Sequence, residues 1–437
     1  MIRSLATLLL TLSCALSALP SAAEAQDATK PTPPTQDGTP AQATQDGAQA
    51  QTAAPAPTPA PETPAPETSA PETSRPQTST PAPEAARAAG GREFRFLSTN
   101  KVATMERELN QAAAEGFRLE RVSKSLLGDD LAVLVSRDPA APAGTRYEYR
   151  AIATRRAGTM DKEIKEAAAE GFELRGLTSM FRPGIAALVG DETAALMERV
   201  AGETRPRFEY QLLSTKREKT LQKELDEAVA AGYVPVEMVR GQDNGAASIL
   251  LGPQFVLTII TARPVGSEST LMASPTREYR FLETTKVGTM EREMNRAAKE
   301  GFRFHMSAPD MLMLMVRERG AEGPAPFEYK LLATKRTGTM QKELLEHVGT
   351  GYRYLATSSG LGGLTTVLER DAASAGASAG ASGRRQVKLL ATTREGTTRR
   401  EIAEALAEGY RILDLTTIGE FIVVLDRDAA PSSARAN

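Results

Sequence analysis

The sequence predicts an α+β protein: six tandem β-α-β-β units, each a three-stranded antiparallel sheet with one helix. A signal peptide and a disordered Pro/Ala/Thr-rich tether are expected ahead of them. Three observations carry this expectation. A glycine followed by an aromatic residue recurs at Gly116, Gly171, Gly232, Gly301, Gly351 and Gly409. Before each glycine runs an apolar stripe of helical period, and before each stripe a short stretch of alternating polarity. Residues 26–91 hold 14 prolines and no Leu, Ile, Val, Phe, Tyr or Met.

Residues 1–25 read as an export signal. Arg3 supplies the positive start, Leu5 to Leu19 the apolar stretch, and Ala23-Glu24-Ala25 a small-residue cleavage site before Gln26. The apolar run is short and rich in small residues for a membrane span. Thr-Leu-Ser-Cys at 11–14 faintly resembles a lipoprotein box. Thr11 stands where such a box has Leu, and apolar residues continue past the Cys, so lipid anchoring at Cys14 is not expected. The chain is therefore expected to be exported, periplasmic or secreted. Cys14 is its only cysteine, which argues against disulfides and Cys-based metal sites in the exported part.

The tether, 26–91, repeats Ala-Pro-Glu-Thr at Ala60, Ala65 and Ala70. With nothing apolar to bury, it cannot offset the entropy of ordering, and its prolines favour an extended spacer. The formal net charge of -2 gives the 437-residue chain no global attraction to nucleic acid or to an anionic membrane. No nucleic-acid partner and no integral membrane character are expected.

The six units are read as 92–138, 146–200, 207–263, 277–318, 326–371 and 385–428. Each opens on a strand such as Glu-Phe-Arg-Phe-Leu at 93–97 or Glu-Tyr-Lys-Leu-Leu at 328–332, with the second residue suited to a half-buried face. In the first unit Met105, Leu109, Ala112 and Ala113 share one narrow helical face. Thr104, Thr159, Thr220, Thr289, Thr339 and Thr397 fit the N-cap position, and the repeated glycine fits the left-handed C-terminal position. The aromatic after the glycine opens a second strand, and a turn leads to a third, more apolar one such as Phe-Ile-Val-Val-Leu at 421–425. The apolar run from Ser248 to Ile260, broken by Gly252-Pro253-Gln254, reads as a loop and a core strand. Gly360 to Gly363 reads as a hairpin turn.

Tyr-Glu-Tyr-Arg at 147–150 with Glu-Gly-Phe-Glu-Leu at 170–174, followed by a short hairpin, resembles the bacterial family catalogued as domain of unknown function 4177. The resemblance implies a small β-α-β-β domain and extends over all six units, with Phe or Tyr where that family has Trp. It implies no catalytic residues. One unit buries too little core to stand alone, and one helix covers only one sheet face, so neighbouring units are expected to pack in pairs or in a ring.

No phosphate-binding loop, zinc pair or nucleophile elbow is present. His305 and His347 occupy non-equivalent places and read as packing or surface residues. One polar constellation recurs in every copy. A base, Lys101, Arg156, Arg217, Lys286, Arg336 or Arg394, stands three residues before each capping Thr. Unpaired N–H groups, a hydroxyl and a cation at a helix start suit a phosphate, a carboxylate or an acidic glycan. A Glu repeats in the helix (Glu108, Glu163, Glu224, Glu293, Glu343, Glu401), placed to bridge to the strand base Arg95, Arg150, Arg280, Lys330 or Lys388. The expected function is a non-enzymatic exported binding or scaffolding module, partnered by an envelope protein or glycan and needing no cofactor and no metal. The alternative is a small-anion or acidic-glycan binder using the six basic loops.

Overall fold

The computed structural model describes residues 86–87, 91–125, 130–138, 144–180, 191–243, 254–266, 277–320, 323–360, 362–374 and 385–428. The signal peptide with Cys14, nearly all of the tether, and Gly252-Pro253 lie outside the described residues.

Six β-α-β-β units follow in order. Unit 1 holds β2 (Glu93–Thr99), α1 (Val102–Ala114), β3 (Arg118–Val122) and β5 (Leu131–Arg137), with a two-residue β4 (Lys124–Ser125). Unit 2 holds β6 (Tyr147–Thr154), α2 (Ala157–Ala169), β7 (Glu173–Met180) and β8 (Glu192–Val200). Unit 3 holds β9 (Phe208–Thr215), α3 (Glu218–Ala230), β10 (Val234–Asp243) and β11 (Gln254–Pro264). Unit 4 holds β12 (Arg277–Glu283), α4 (Val287–Lys299), β13 (Arg303–Ala308) and β14 (Leu312–Glu318). Unit 5 holds β15 (Phe327–Thr334), α5 (Thr337–Gly349), β16 (Arg353–Gly360) and β17 (Gly363–Asp371). Unit 6 holds β18 (Arg385–Thr392), α6 (Glu395–Ala407), β19 (Arg411–Thr417) and β20 (Phe421–Asp428).

In each unit the third strand is central, flanked antiparallel by the first and the second. That order explains why the third strands are the most apolar: they are covered on both sides, and β5 is buried from Leu131 to Ser136. Gly360 pairs with Gly363 across the β16–β17 hairpin. The end of the tether departs from expectation. Ala86–Arg87 form a short strand, β1, pairing with Phe94 and Glu93 of β2, because the outer edge of that sheet offers unpaired backbone groups.

The helices end as their glycines require. Gly116 has φ 87°, its N–H reaches the Ala113 carbonyl, and the Phe117 N–H reaches Ala112, satisfying carbonyls the helix leaves open. A device not read in the sequence reinforces this end. The Arg near the end of each third strand (Arg137, Arg199, Arg263, Arg317, Arg370) pairs with the Glu that opens the first strand (Glu93, Glu148, Glu209, Glu278, Glu328). In unit 6, Arg427 reaches Gln386 instead. Each of these arginines lies over the aromatic that follows the glycine, 4.4 to 4.8 Å from its centroid. The strand bases also differ from expectation. Arg95, Arg150, Arg280 and Lys388 pair with the Glu just before the glycine (Glu115, Glu170, Glu300, Glu408), and Lys330 pairs with Glu291 of the preceding unit. The strand runs beside the C-terminal end of its helix, out of reach of the glutamate in the second turn.

The units close into a ring. The apolar face of α1 packs on its own sheet and on Tyr149, Met180, Ala194 and Leu196 of unit 2. The same head-to-tail packing joins units 2 to 3, 3 to 4, 4 to 5 and 5 to 6. The face of α6, Ile402, Ala405 and Leu406, then packs on Phe94, Phe96, Ala132 and Leu134 of unit 1. A head-to-tail contact whose rotation returns to its start gives a closed cycle.

The first strand of each unit would present a bare edge, and the fifth residue of the preceding helix seals it. Glu106, Asp161 and Glu291 accept the N–H of Ala151, Leu212 and Leu331. Gln222 and Gln341 each bond to both a carbonyl and an N–H, and Arg399 donates to the Phe96 carbonyl across the closing seam. Asn110 and Asn295 add a bidentate grip on Tyr149 and Tyr329.

Candidate functional site

The six predicted bases fall on equivalent turns, and the head-to-tail ring sets them on one rim. Their role in the helix differs from expectation. Lys101, Arg156, Arg217, Lys286, Arg336 and Arg394 are themselves the N-cap residues, with extended backbone and no side-chain cap bond. Thr104, Thr159, Thr220, Thr289, Thr339 and Thr397 lie one turn inside, at the third helical position. The hydroxyl that shapes the turn belongs to the earlier threonine. Thr99, Thr154, Thr215, Thr284, Thr334 and Thr392 accept the N–H of the base two residues on, at 3.1 to 3.3 Å. Both threonines satisfy a cap rule on paper, and each helix begins between the two.

All six bases are exposed. Between units 5 and 6, Arg336 and Thr339 line an open groove of about 890 Å³ with Gly363 and Glu420. The bases one turn further along the helix are used internally: Lys162, Lys223 and Arg400 pair with Glu166, Glu227 and Glu404.

A second polar constellation was not read from the sequence. The second strands, β3, β7, β10, β13, β16 and β19, converge on the ring axis, and each carries a bulge at the fourth residue after its glycine. The bulged residues are Glu120, Arg175, Val236, His305, Leu355 and Leu413. A bulge re-aims side chains, and here bulged residues and their successors wall an axial chamber of about 310 Å³ drawn from all six units. Buried hydroxyl residues follow the bulges, among them Ser123, Thr178, Ser307, Thr357 and Thr416, and Ser307 and Thr357 line the chamber itself. At the same level β4 pairs parallel with β19, Lys124 beside Thr416.

The charges in this chamber are unevenly satisfied. Asp414 is fully used: it accepts from the Tyr354 hydroxyl at 2.7 Å and from the N–H of Thr357 and Leu415. Burial with Asp414 alongside drives the Tyr354 hydroxyl well above its ordinary pKa. Glu120 is held by Arg92 and Ser136. Glu237 is not: its Oε2 lies 3.7 Å from Lys124 Nζ and has no hydrogen-bond partner among the described residues. Burial pushes the Glu237 carboxyl up, and Lys124 only partly offsets that. Arg121 bonds to the carbonyls of Leu413 and Glu120 and to no carboxylate among the described residues. His305 sits 3.1 Å from the Pro235 carbonyl, edge-on to Tyr279, its pKa lowered by burial. His347 is not among the residues lining this chamber and stands edge-on to Tyr352 at the end of α5.

Compared with protein families, curated proteins and solved structures, the chain matches none. Among the described residues no group of three His, Cys, Asp or Glu is placed to hold a metal ion, and no helix is long and apolar enough to cross a membrane. A signal for the axial residues did exist. The fourth and fifth positions after each glycine vary in charge and size from copy to copy, while the residue directly after the glycine is always Phe or Tyr.

Proposed function

We propose that this chain is a non-enzymatic binding or scaffolding module of an exported bacterial protein, acting in the cell envelope or outside the cell. The carrying observation is the closed ring: seams bury the helix faces and sheet edges, and six equivalent turns remain on one rim. Repetition at fixed spacing suits multivalent capture, where several weak contacts act together. The Pro-rich stretch ahead of the ring fits a spacer. Immobilised ring should retain a discrete envelope component from a bacterial extract. Retention by an equally charged control protein to the same extent would overturn it.

A second reading has its own support: none of the six rim bases forms an ion pair among the described residues. Uncommitted cations beside helix N-termini suit a sulfated or carboxylated glycan. Acidic glycan should raise the melting temperature in a salt-sensitive way. Neutral replacement of Lys101, Arg156, Arg217, Lys286, Arg336 and Arg394 together should abolish the rise, and an unchanged rise would exclude the rim.

A further inference from the structure

The ring is pseudo-symmetric, and its departures from symmetry concentrate on the axis. Units 1 and 2 bring cations to the chamber wall, Arg121, Lys124 and Arg175, while unit 3 brings Glu237. Units 4 and 5 bring the apolar Met306 and Leu355 beside His305, Ser307 and Thr357, and unit 6 brings Asp414, whose oxygens are already bonded. Two of these polar groups are incompletely used. Arg121 spends its N–H groups on backbone carbonyls, and Glu237 Oε2 is buried without a hydrogen bond. A buried carboxylate oxygen left open is costly, and such groups mark places where something else completes the set.

We propose that the axial chamber binds one small α-amino acid per ring. The ligand carboxylate lies against the Arg121 guanidinium, its ammonium against Glu237, and a small apolar side chain against Leu355 and Met306. The planar guanidinium suits a carboxylate in a two-pronged contact. An ammonium supplies the donor that Lys124, at 3.7 Å, does not bring within bonding distance. The volume of about 310 Å³ admits a small amino acid. A side cavity of about 740 Å³ between units 4 and 5 shares Phe304, His305 and Leu355 with the chamber and offers an approach to it. This site is independent of the rim, and stoichiometry separates the two: one per chain on the axis, several per chain on the rim.

The test is equilibrium dialysis and calorimetry on the full chain with alanine, serine and valine, using acetate and methylammonium as single-charge controls. The expected result is saturable binding of an amino acid at one site per chain, at least tenfold tighter than either control. Arg121→Met and Glu237→Gln should each weaken it at least tenfold, whereas Lys101→Ser should leave it unchanged. Leu355→Trp, which fills the chamber without touching a charge, should abolish binding. If Arg121→Met fails to fold, Arg121→Lys replaces it and should still weaken binding. No saturable binding of any amino acid tested, binding at several sites per chain, or binding indifferent to Glu237→Gln and Leu355→Trp would overturn the proposal.

Discussion

The hydroxyl of Tyr149 in unit 2 accepts the N–H of Leu119 in unit 1 at 2.8 Å, and donates to the buried Glu198 at 2.7 Å. One side chain thus ties a seam and satisfies a carboxylate at once. Tyr329 does the same between units 4 and 5, with the Phe304 N–H and Glu369. Tyr210 keeps only the first half, accepting from Leu174. The seam between units 3 and 4 has neither partner. Pro235 stands where the donor should be and has no N–H, and Val316 lies across from Tyr279 where units 2 and 5 place a Glu. The Tyr279 hydroxyl accordingly lacks both seam partners and, among the described residues, has only the Arg277 side chain beside it.

Removing these hydroxyls should therefore have unequal effects. Tyr149→Phe and Tyr329→Phe each leave a buried Glu short of a donor and should cost about 1–3 kcal/mol. Tyr279→Phe removes a hydroxyl that ties no seam and serves no buried carboxylate, and should be close to neutral. Thermal melts of the three variants side by side check this, and equal losses in all three would refute it.

Glu369 is 0% exposed and is shared by Arg303, Arg353 and Tyr329. Breaking a buried pair strands its partners, so Glu369→Ala should lower stability by about 3 kcal/mol, tempered because both arginines can turn to water. Glu166→Ala, which removes an exposed helix pair with Lys162, should cost less than about 0.5 kcal/mol. Denaturant midpoints would rank the two.

The helix-ending glycines differ in what a methyl group would meet. At Gly409, φ is 86° and nothing lies within 4 Å of an added Cβ, so Gly409→Ala should cost only the left-handed backbone penalty of about 1–2 kcal/mol. At Gly171 the Cβ would also stand 2.8 Å from the Glu203 carbonyl oxygen. Gly171→Ala should be clearly the worse of the two in a thermal melt.

His305 gives the ring an acid-side weakness. Burial, with Arg277 and Lys124 nearby, holds its imidazole below the ordinary value of 6.5. A depressed pKa contributes stability that is present above the unfolded pKa and lost as pH falls through the folded one. The melting temperature of the wild type should thus drop on going from about pH 7 to pH 5 more steeply than that of His305→Gln. Parallel curves would show that the imidazole is not the responsible group.

The unit itself was legible because its signals are local. Met105, Leu109, Ala112 and Ala113 are buried as their spacing predicts, and Gly116 takes the left-handed turn that only glycine enters cheaply. The capping threonines were misplaced because Thr99 and Thr104 both satisfy the same local rule, and only the start of α1 after Lys101 separates them. Ring closure was beyond local reading: Phe96 meets Phe421 edge-on at 5.0 Å across 324 intervening positions of chain, a contact that no periodicity announces. The axial groups were hidden for a further reason. Glu120, Glu237 and Asp414 sit at or beside bulges, where strict alternation fails and an inward residue reads as an outward one.

The chain enters the ring through β1, whose two residues pair with β2 and lie against α6, at the junction of units 6 and 1. Any tension arriving from the N-terminal side is therefore delivered to that junction before any other. There Phe94 stands in place of the tyrosine, and the junction is held instead by Phe96 on Phe421, Arg399 on the Phe96 carbonyl and the Thr416 hydroxyl on the Lys124 carbonyl. The annulus thus has a fuse: pulled by its leading end, it should open between its first and last units while the other five joints stay shut.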